Sequence, residues 1–547
     1  MNRTVGFLIT YYKILITLLT PFVCLPIFLV HDTKATRCMY SFALMVIYWI
    51  TESIPPALTS LTTMVLFPLL GVLNSDKVAK NFMNDTNMML LGSIAIAIAM
   101  ENTGLHVRIA LYVIKCIGCS CKKLHIGLCM VTMFISMWIA NTAATALMIP
   151  IVEGTLVALQ TQGLIKMFKE DPTKPPEDWR PSNITKCYYI SAAYCSTIGG
   201  SGCIIGSGAN LAFKGLYEVM FPDSPGVEFS KWMMHNTPLM LVNNIAMILW
   251  LQILFLGLFR PFSKTAKELS AGDEAIAATK QVINNKIDEL GPLKFGEIAV
   301  AIIFVGSIIL WFFRRPGFMP GWPEYISDVK CGDAVVAIVA FTLFFLVPIE
   351  PSFVWFFGND ESKVPDEASK GILTWKYFNA KMHWNMIFVL GGGFAMADAA
   401  KESGMTSLIA DYLQDYMSSS AFLNLVVFCS IGTFMTQFLS SNVACITIMV
   451  PIILEACSMA EIHPMYLGFS NAVACSFAYF LPVSTPPNAL VAGPARMNGA
   501  DMMVAGLGAI AISLTLLVFI FPVYAPLVWD FNFPEWAAIK NVTEPEF

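Results

Sequence analysis

The sequence predicts an all-α polytopic membrane protein in which eleven transmembrane helices and two re-entrant hairpins form two inverted repeats. Three observations predict this class. First, 56% of the 547 residues are hydrophobic and only 13% are charged. A soluble chain carries roughly 25% charged residues, so the bilayer is the main solvent here. Second, a short polar motif occurs twice inside apolar sequence. Ala140-Asn141-Thr142 leads into an apolar arm with Met148-Ile149-Pro150-Ile151, and Ser441-Asn442-Val443 leads into one with Met449-Val450-Pro451-Ile452. The asparagines (442 − 141) and the prolines (451 − 150) are each 301 positions apart. Third, nearly the same offset extends upstream, from Leu91-Gly92-Ser93 to Gly391-Gly392-Gly393 and from Gly104 to Gly404, 300 positions each.

Residues 1–37 hold the N-terminus and a first span at 14–30, read as retained because no small-residue cleavage site is evident. The first repeat covers 38–259, with apolar segments near 38–53, 57–73, 87–118, 126–161, 187–218 and 237–259. Segment 126–161 has two apolar arms around Asn141-Thr142. Each arm is short for a crossing of ~20 residues, which makes the segment a re-entrant hairpin with its tip near the midplane. Segment 187–218 is broken by Gly199-Gly200-Ser201-Gly202 and Gly206-Ser207-Gly208-Ala209-Asn210. Such residues are tolerated at membrane depth where the freed backbone lines a cavity or is buried in protein.

A linker follows at 260–296, and 162–186 reads as a mixed-charge loop. The second repeat covers 297–525, with spans near 297–313, 334–349, 385–416 and 503–525. Its hairpin lies at 420–457 around Ser440-Ser441-Asn442, and its broken helix at 465–495 around Pro482-Val483-Ser484-Thr485-Pro486-Pro487-Asn488. Proline at a first helical position, after a hydroxyl residue able to cap, fits a new helix at Pro486. Each repeat then has five crossings, and an odd number turns the second upside down relative to the first. Arg3, Lys13 and the linker's Arg260, Lys264, Lys267, Lys280, Lys286 and Lys294 place the N-terminus and linker in the cytoplasm. The tail 526–547 is then extracellular, with the Asn541 sequon open to a glycan. Sequons also occur at Asn2, Asn84 and Asn183.

Two tips and two breaks converge in such a fold, the arrangement of a secondary transporter with paired half-sites. They offer amides, hydroxyls and freed backbone groups, but no Lys or Arg. An anion can still be held there, because half-helix N-termini present unpaired N–H groups and a positive dipole end. Arms beginning near Ala143, Ala144, Ala209, Ala444 and Pro486 would supply these ends. Asn141, Thr142, Ser207, Asn442 and Thr485 would bond carboxylate oxygens. The same amide, hydroxyl and carbonyl oxygens suit sodium. Glu52 and Asp398 are further functional candidates in apolar surroundings.

Other classes fit poorly. A net charge of −5 gives no sign of a nucleic-acid partner. The tips have no nucleophile–base pair and the six His no metal-binding spacing, which argues against an enzyme. A zinc site at Cys116, Cys119 and Cys121 would lack a fourth ligand apart from His125, so reduced thiols at a membrane face are the preferred reading.

Met137-Trp138-Ile139-Ala140-Asn141-Thr142 together with Ser441-Asn442-Val443 resembles the paired Ser-Asn-Thr motifs of the divalent anion/sodium symporter family. Ser476-Phe477-Ala478-Tyr479-Phe480-Leu481-Pro482-Val483-Ser484-Thr485-Pro486-Pro487-Asn488-Ala489 resembles its sodium:sulfate symporter signature. The similarity runs over nearly the whole chain. It implies a plasma-membrane homodimer whose transport domain moves against a scaffold in an elevator motion. It implies citrate, succinate and related di- and tricarboxylates as substrates, with sulfate carriage or a transport-deficient receptor as alternatives. Substrate would be held by Asn141, Thr142, Asn442 and Val443, and after the breaks by Ser207, Gly208, Thr485 and Pro486. A first sodium would map to Ser136, Ala140, Asn141 and Gly206, and a second to Gln437, Ser441, Asn442 and Ser484. Ala140 stands where the family has Ser, Gln437 where a small hydroxyl residue is usual, and Val443 where a hydroxyl is usual. The family contains sodium-coupled symporters and cation-independent exchangers. These substitutions lean toward weak or absent sodium dependence, and no other cofactor is expected.

Overall fold

Lipid offers no partner to a free backbone N–H or C=O, so long apolar runs fold as helices. Among the described residues, seven helices are long and apolar enough to cross a bilayer: Thr10–Leu29, Ser75–Thr103, Asn141–Thr161, Phe229–Phe255, Phe295–Phe312, Asn442–Met459 and Gly499–Leu527. Shorter apolar helices lie at Pro56–Leu69, Asp333–Leu346 and Ala421–Thr436. The computed structural model describes residues 3–538 except 118–119, 162, 164, 171–172, 174, 176–178, 261–280, 282–283, 317–318, 330, 358–363 and 415. The Asn2 and Asn541 sequons, Cys119, and Lys264, Lys267 and Lys280 of the linker lie outside the described residues.

Helix α1 (Arg3–Cys24) is followed by α2 (Lys34–Thr51), whose Thr33 cap accepts from the Thr36 amide. The next run is split into α3 (Pro56–Leu61) and α4 (Thr63–Leu69). Then come α5 (Ser75–Phe82), α6 (Asp85–Thr103) and α7 (Leu105–Ile117). The sequence expectation of one apolar segment over 87–118 gives way to two helices meeting at Gly104, whose φ of +77° turns the chain. Only glycine adopts that conformation without cost. A helix–turn–helix follows: α8 (Cys121–Ser136) and α9 (Asn141–Thr161). Between α9 and the next helix, 162–186 contains a two-residue antiparallel ladder pairing Phe168 with Pro181 and Lys169 with Arg180. Helix α10 (Asn183–Gly199) breaks, passes a short 3-10 turn at Ile204–Gly206, and restarts as α11 (Gly208–Met220) before α12 (Phe229–Phe255).

The same order recurs. Helices α13 (Phe295–Phe312) and α14 (Asp333–Leu346) lead through α15 (Trp375–Lys381) to α16 (Trp384–Glu402). Gly404, with φ +75°, separates α16 from α17 (Met405–Gln414), matching Gly104. A second helix–turn–helix, α18 (Ala421–Thr436) and α19 (Asn442–Met459), is followed by α20 (Pro464–Ala474). A 3-10 turn at Pro482–Ser484, α21 (Pro486–Ala492) and α22 (Gly499–Tyr524) complete the second set.

The two sets interlock. Helix α11 packs on α19 and α16, while α21 packs on α9 and α10. Each restarted half-helix therefore lies against the other set's hairpin. Charged side chains in this apolar interior are paired, because an uncompensated buried charge is costly. Arg108 donates to Glu297 (3.1 Å) and to the carbonyls of Gly291 (2.9 Å) and Pro292 (3.2 Å), tying α7 to the start of α13. Asp333, at the start of α14, is met by Arg314 (2.6 Å) and by Lys214 of α11 (3.3 Å). Asp398 accepts from Asn81 (3.1 Å). Glu52, the left-handed cap of α2 with φ +45°, accepts from the Ser440 hydroxyl at the second tip.

The Arg108–Glu297 pair gives a stability test. Glu297→Ala strands a buried guanidinium and should cost about 3–5 kcal/mol, whereas Glu297→Gln, which keeps an acceptor, should cost less. Thermal unfolding in detergent measures the order; equal melting temperatures for wild type and Glu297→Ala would contradict the assignment.

Candidate functional site

The site begins with two helix starts at two tips. Asn141 opens α9 and Asn442 opens α19, each after the short turn that follows the preceding helix. Residues 140–143 and 441–443 are half-buried, whereas Ala144 and Ala444, one turn into the helices, are buried. The breaks in α10–α11 and α20–α21 supply two further helix starts at Gly208 and Pro486. Ser207 caps α11 by accepting from the Ala209 amide (3.3 Å), and Ser441 caps α19 by accepting from the Ala444 amide (3.3 Å).

Broken helices leave carbonyls without partners. Two buried asparagines satisfy them in matching fashion. Asn210 donates to Gly200 O (2.7 Å) and Cys203 O (2.8 Å); Asn488 donates to Ala478 O (3.0 Å) and Leu481 O (3.0 Å). Every atom of the first set lies 278 positions before its counterpart (488 − 210, 478 − 200, 481 − 203). Sequence reasoning gave these residues no role. The signal was present in Ser207-Gly208-Ala209-Asn210 and Thr485-Pro486-Pro487-Asn488, which share a hydroxyl followed three residues later by Asn.

The first tip and first break meet around oxygen. The Ser136 hydroxyl donates to Ser196 O (2.6 Å). The side-chain oxygen of Asn141 lies 3.0 Å from Ser136 Oγ, 3.2 Å from Ser196 O and 3.3 Å from Gly206 O. Two arrangements satisfy this cluster: the amide turned end for end so that its NH2 donates to all three, or a hard cation shared among the oxygens. Gly206 has to be glycine, since a Cβ there would stand 2.7 Å from the carbonyls of Gly200 and Met137 and 3.1 Å from that of Ser136. Ala140 lines the neighbouring cavity.

The second tip is built differently. The hydroxyl facing Asn442 belongs to Thr436, whose Oγ1 donates to Asn442 Oδ1 (3.2 Å). Thr436 is thus the counterpart of Ser136, one residue before the Gln437 that the resemblance singled out. Gln437 sends its side chain into the second break, and Ser484 donates to the Gln437 carbonyl (2.7 Å).

A cavity of about 390 Å³ lies beside the first tip. Thr142, Ala140, Trp138 and Gly208 line it, with Leu490 and Met386 from the second set and Glu101, Lys381 and His383 at one end. Lys381 is not a free cation: it donates to Glu101 (2.6 Å). Gly208 joins the two sets, since a Cβ there would contact Val443 (3.3 Å) and Met386 (3.4 Å). Among the expected residues, Thr142 and Gly208 line the cavity and Val443 abuts Gly208. Asn141 belongs to the oxygen cluster, Ser207 and Ser441 serve as caps, Thr485 is buried and Pro486 is exposed beside the second break. His125 turns inward to Ser191 (2.6 Å) and Cys187 (3.3 Å), while Cys121 pairs with the Tyr188 hydroxyl (3.3 Å). No group of three metal-ligating side chains occurs among the described residues.

Paired broken helices packed on paired helix–turn–helix units, with a cavity beside the first tip, are the frame of a membrane transporter. The chain matches the sodium:sulfate symporter transmembrane region over residues 7–529, and it belongs to that family. It is 38% identical to the Drosophila melanogaster protein "I'm not dead yet", over 98% of this chain and 92% of that one. It is 34% identical to human Na(+)/dicarboxylate cotransporter 3, over 97% and 95% of the two chains, and 34% identical to mouse Na(+)/citrate cotransporter, over 96% and 97%. In fold it is similar to the Alcanivorax borkumensis YdaH transporter, with a TM-score of 0.55 over 87% of this chain and 99% of that one, at 13% identity. The family and these relatives are transporters, which supports a transport role for this chain.

The amide brackets in the breaks carry a prediction. Asn488→Ala removes both donors and orphans the buried Ala478 carbonyl, while Leu481 O keeps the Ser484 amide (3.1 Å), at about 1–3 kcal/mol. Asn210→Ala should behave alike. A melting temperature within a degree of wild type for either variant would remove the bracket from the account of the break.

Proposed function

We propose that this chain is an elevator-type secondary carrier that moves di- and tricarboxylates, citrate and succinate among them, across the plasma membrane as a homodimer. The observation that carries the reading is a cavity lined by the first tip and first break, with Leu490 of the second restarted helix on it and Val443 of the second tip against Gly208, and with no Lys or Arg in the tips. A carboxylate needs donors, and these come from helix starts. Helices α9, α11 and α19 each present unpaired amides and a positive dipole end. Asn141, Thr142, Ser207, Asn442 and Thr485 add polar side chains, Gly208 lets backbone approach, and Pro486 fixes where the second restarted helix begins. Val443 contributes a methyl where a hydroxyl would bond substrate. The names of the human and mouse relatives support carboxylates as the substrate class.

In this reading the chain makes eleven crossings in inverted repeats 38–259 and 297–525, with re-entrant hairpins at 126–161 and 420–457, a cytoplasmic linker at 260–296 and an extracellular, glycosylated tail. Counting crossings from a cytoplasmic N-terminus puts Glu101 and Lys381 at the cytoplasmic end, so the cavity opens inward. The elevator step carries both tips toward the other face. Sodium fits the first half-site when the Asn141 amide points its oxygen inward, beside Ser136 Oγ and the Gly206 and Ser196 carbonyls. The expected second set of Gln437, Ser441, Asn442 and Ser484 fits it less well, because Gln437 and Ser484 bring donors of their own.

Purified protein in liposomes should accumulate labelled succinate or citrate. Asn141→Ala and Asn442→Ala should each lower uptake to background while the protein remains monodisperse; normal uptake by both would count decisively against the site. Replacing sodium by choline reads the coupling. A second reading, sulfate as cargo, draws on the family's description. Excess sulfate should leave succinate uptake unchanged, and full competition would favour that second reading.

A further inference from the structure

The two half-sites are related by sequence but joined by different chemistry. In the first, tip and break meet around Ser136 Oγ, the Asn141 amide and the carbonyls of Ser196 and Gly206, a cluster closed either by that amide's NH2 or by a cation shared with its oxygen. The residue after Ser136 is Met137, which brings no polar group to the join. In the second, the residue after Thr436 is Gln437, and its side chain makes four hydrogen bonds. Nε2 donates to Thr433 O (2.5 Å) in its own helix and to Phe477 O (2.7 Å) in the break. Oε1 accepts from the amides of Tyr479 (3.1 Å) and Phe480 (3.0 Å), also in the break. Both amide protons and both lone pairs are thereby used. Gln437 is 4% exposed, so these bonds are shielded from water. Ser484 adds a fifth bond, to the Gln437 carbonyl (2.7 Å), where Gly206 brings no side chain in the first repeat.

We infer that Gln437 is a built-in substitute for a cation: it fastens the second hairpin tip to the second break, and the carrier takes at most one sodium ion per subunit, at the Asn141 half-site. This rests on the carrier reading above. A bound ion would hold tip to break only in proportion to its concentration, because a ligand of the ordered state stabilises it by mass action. An amide attached to the tip is always present. The second half-site is therefore pre-organised for anion without an ion, and the first is the half-site through which sodium acts.

The test is a sodium titration of melting temperature on the purified full-length protein, with choline chloride keeping ionic strength constant. Wild type should show a one-site curve that Ser136→Ala abolishes, or no sodium effect. Gln437→Met installs the first repeat's residue at the same position and keeps the bulk. In choline it should weaken the succinate dissociation constant, read from succinate-dependent melting, by about tenfold or more, for the loss of four buried hydrogen bonds. Sodium should restore it, and the sodium curve should steepen to two sites. Gln437→Glu, nearly isosteric but without the NH2 donors, should show the same gained sodium response. A two-site curve in wild type would overturn the inference without any variant. So would glutamine variants whose succinate affinity in choline and sodium curve match wild type. Liposome uptake by wild type is scored separately: its absence would sink the carrier reading, while the sodium curves would still judge Gln437.

Discussion

Everything in this architecture depends on satisfying backbone polar groups where two helices stop inside apolar surroundings. A broken helix exposes carbonyls and amides that lipid cannot partner. The chain supplies the partners itself. Asn210 and Asn488 each reach back across their own break and bind two carbonyls, and Gln437 binds the second break from the facing hairpin. With the break held, the restarted helices begin at fixed points, and their unpaired amides face a shared region.

That arrangement explains how an anion carrier operates without a fixed cation at its centre. A lysine at the tips would hold substrate tightly and would need its own counter-charge when empty. Helix starts present partial charge that requires no partner. Among the described residues several cations are matched: Lys381 with Glu101, Arg108 with Glu297, Lys186 with Asp501, and Arg314 and Lys214 with Asp333. The positive charge of Lys381 at the cavity is correspondingly muted. Val443 and Met386, pressed against the Gly208 position, set how closely that backbone is approached.

The two repeats share element order but not chemistry at the join between tip and break. Gly206 and Ser484 occupy matching places, as do Met137 and Gln437, and each exchange moves a hydrogen-bond donor into the second repeat. Duplication supplies a symmetric frame, and single substitutions can then give its halves separate tasks. The second half carries donors at Gln437 and Ser484 that Met137 and Gly206 do not bring to the first.

Much of this was legible in the chain itself. Apolar run lengths, the 301-residue spacing of Asn141 and Asn442, and the glycines and prolines of the breaks reveal the element order, because breaking a helix in lipid requires particular residues at particular places. Local chemistry of that kind is written in consecutive residues. The turns at Gly104 and Gly404, seen in the sequence only as repeat markers, needed backbone angles to show that each divides one apolar segment into two helices. Contacts between distant segments were not legible. That Thr436 and not Gln437 faces Asn442, that Gln437 fastens residues 477–480, and that Glu52 meets Ser440 follow from how separate helices pack. One residue of rotation at a helix end decides which neighbour reaches the partner, and only the folded chain settles that rotation, through the close packing of side chains around it.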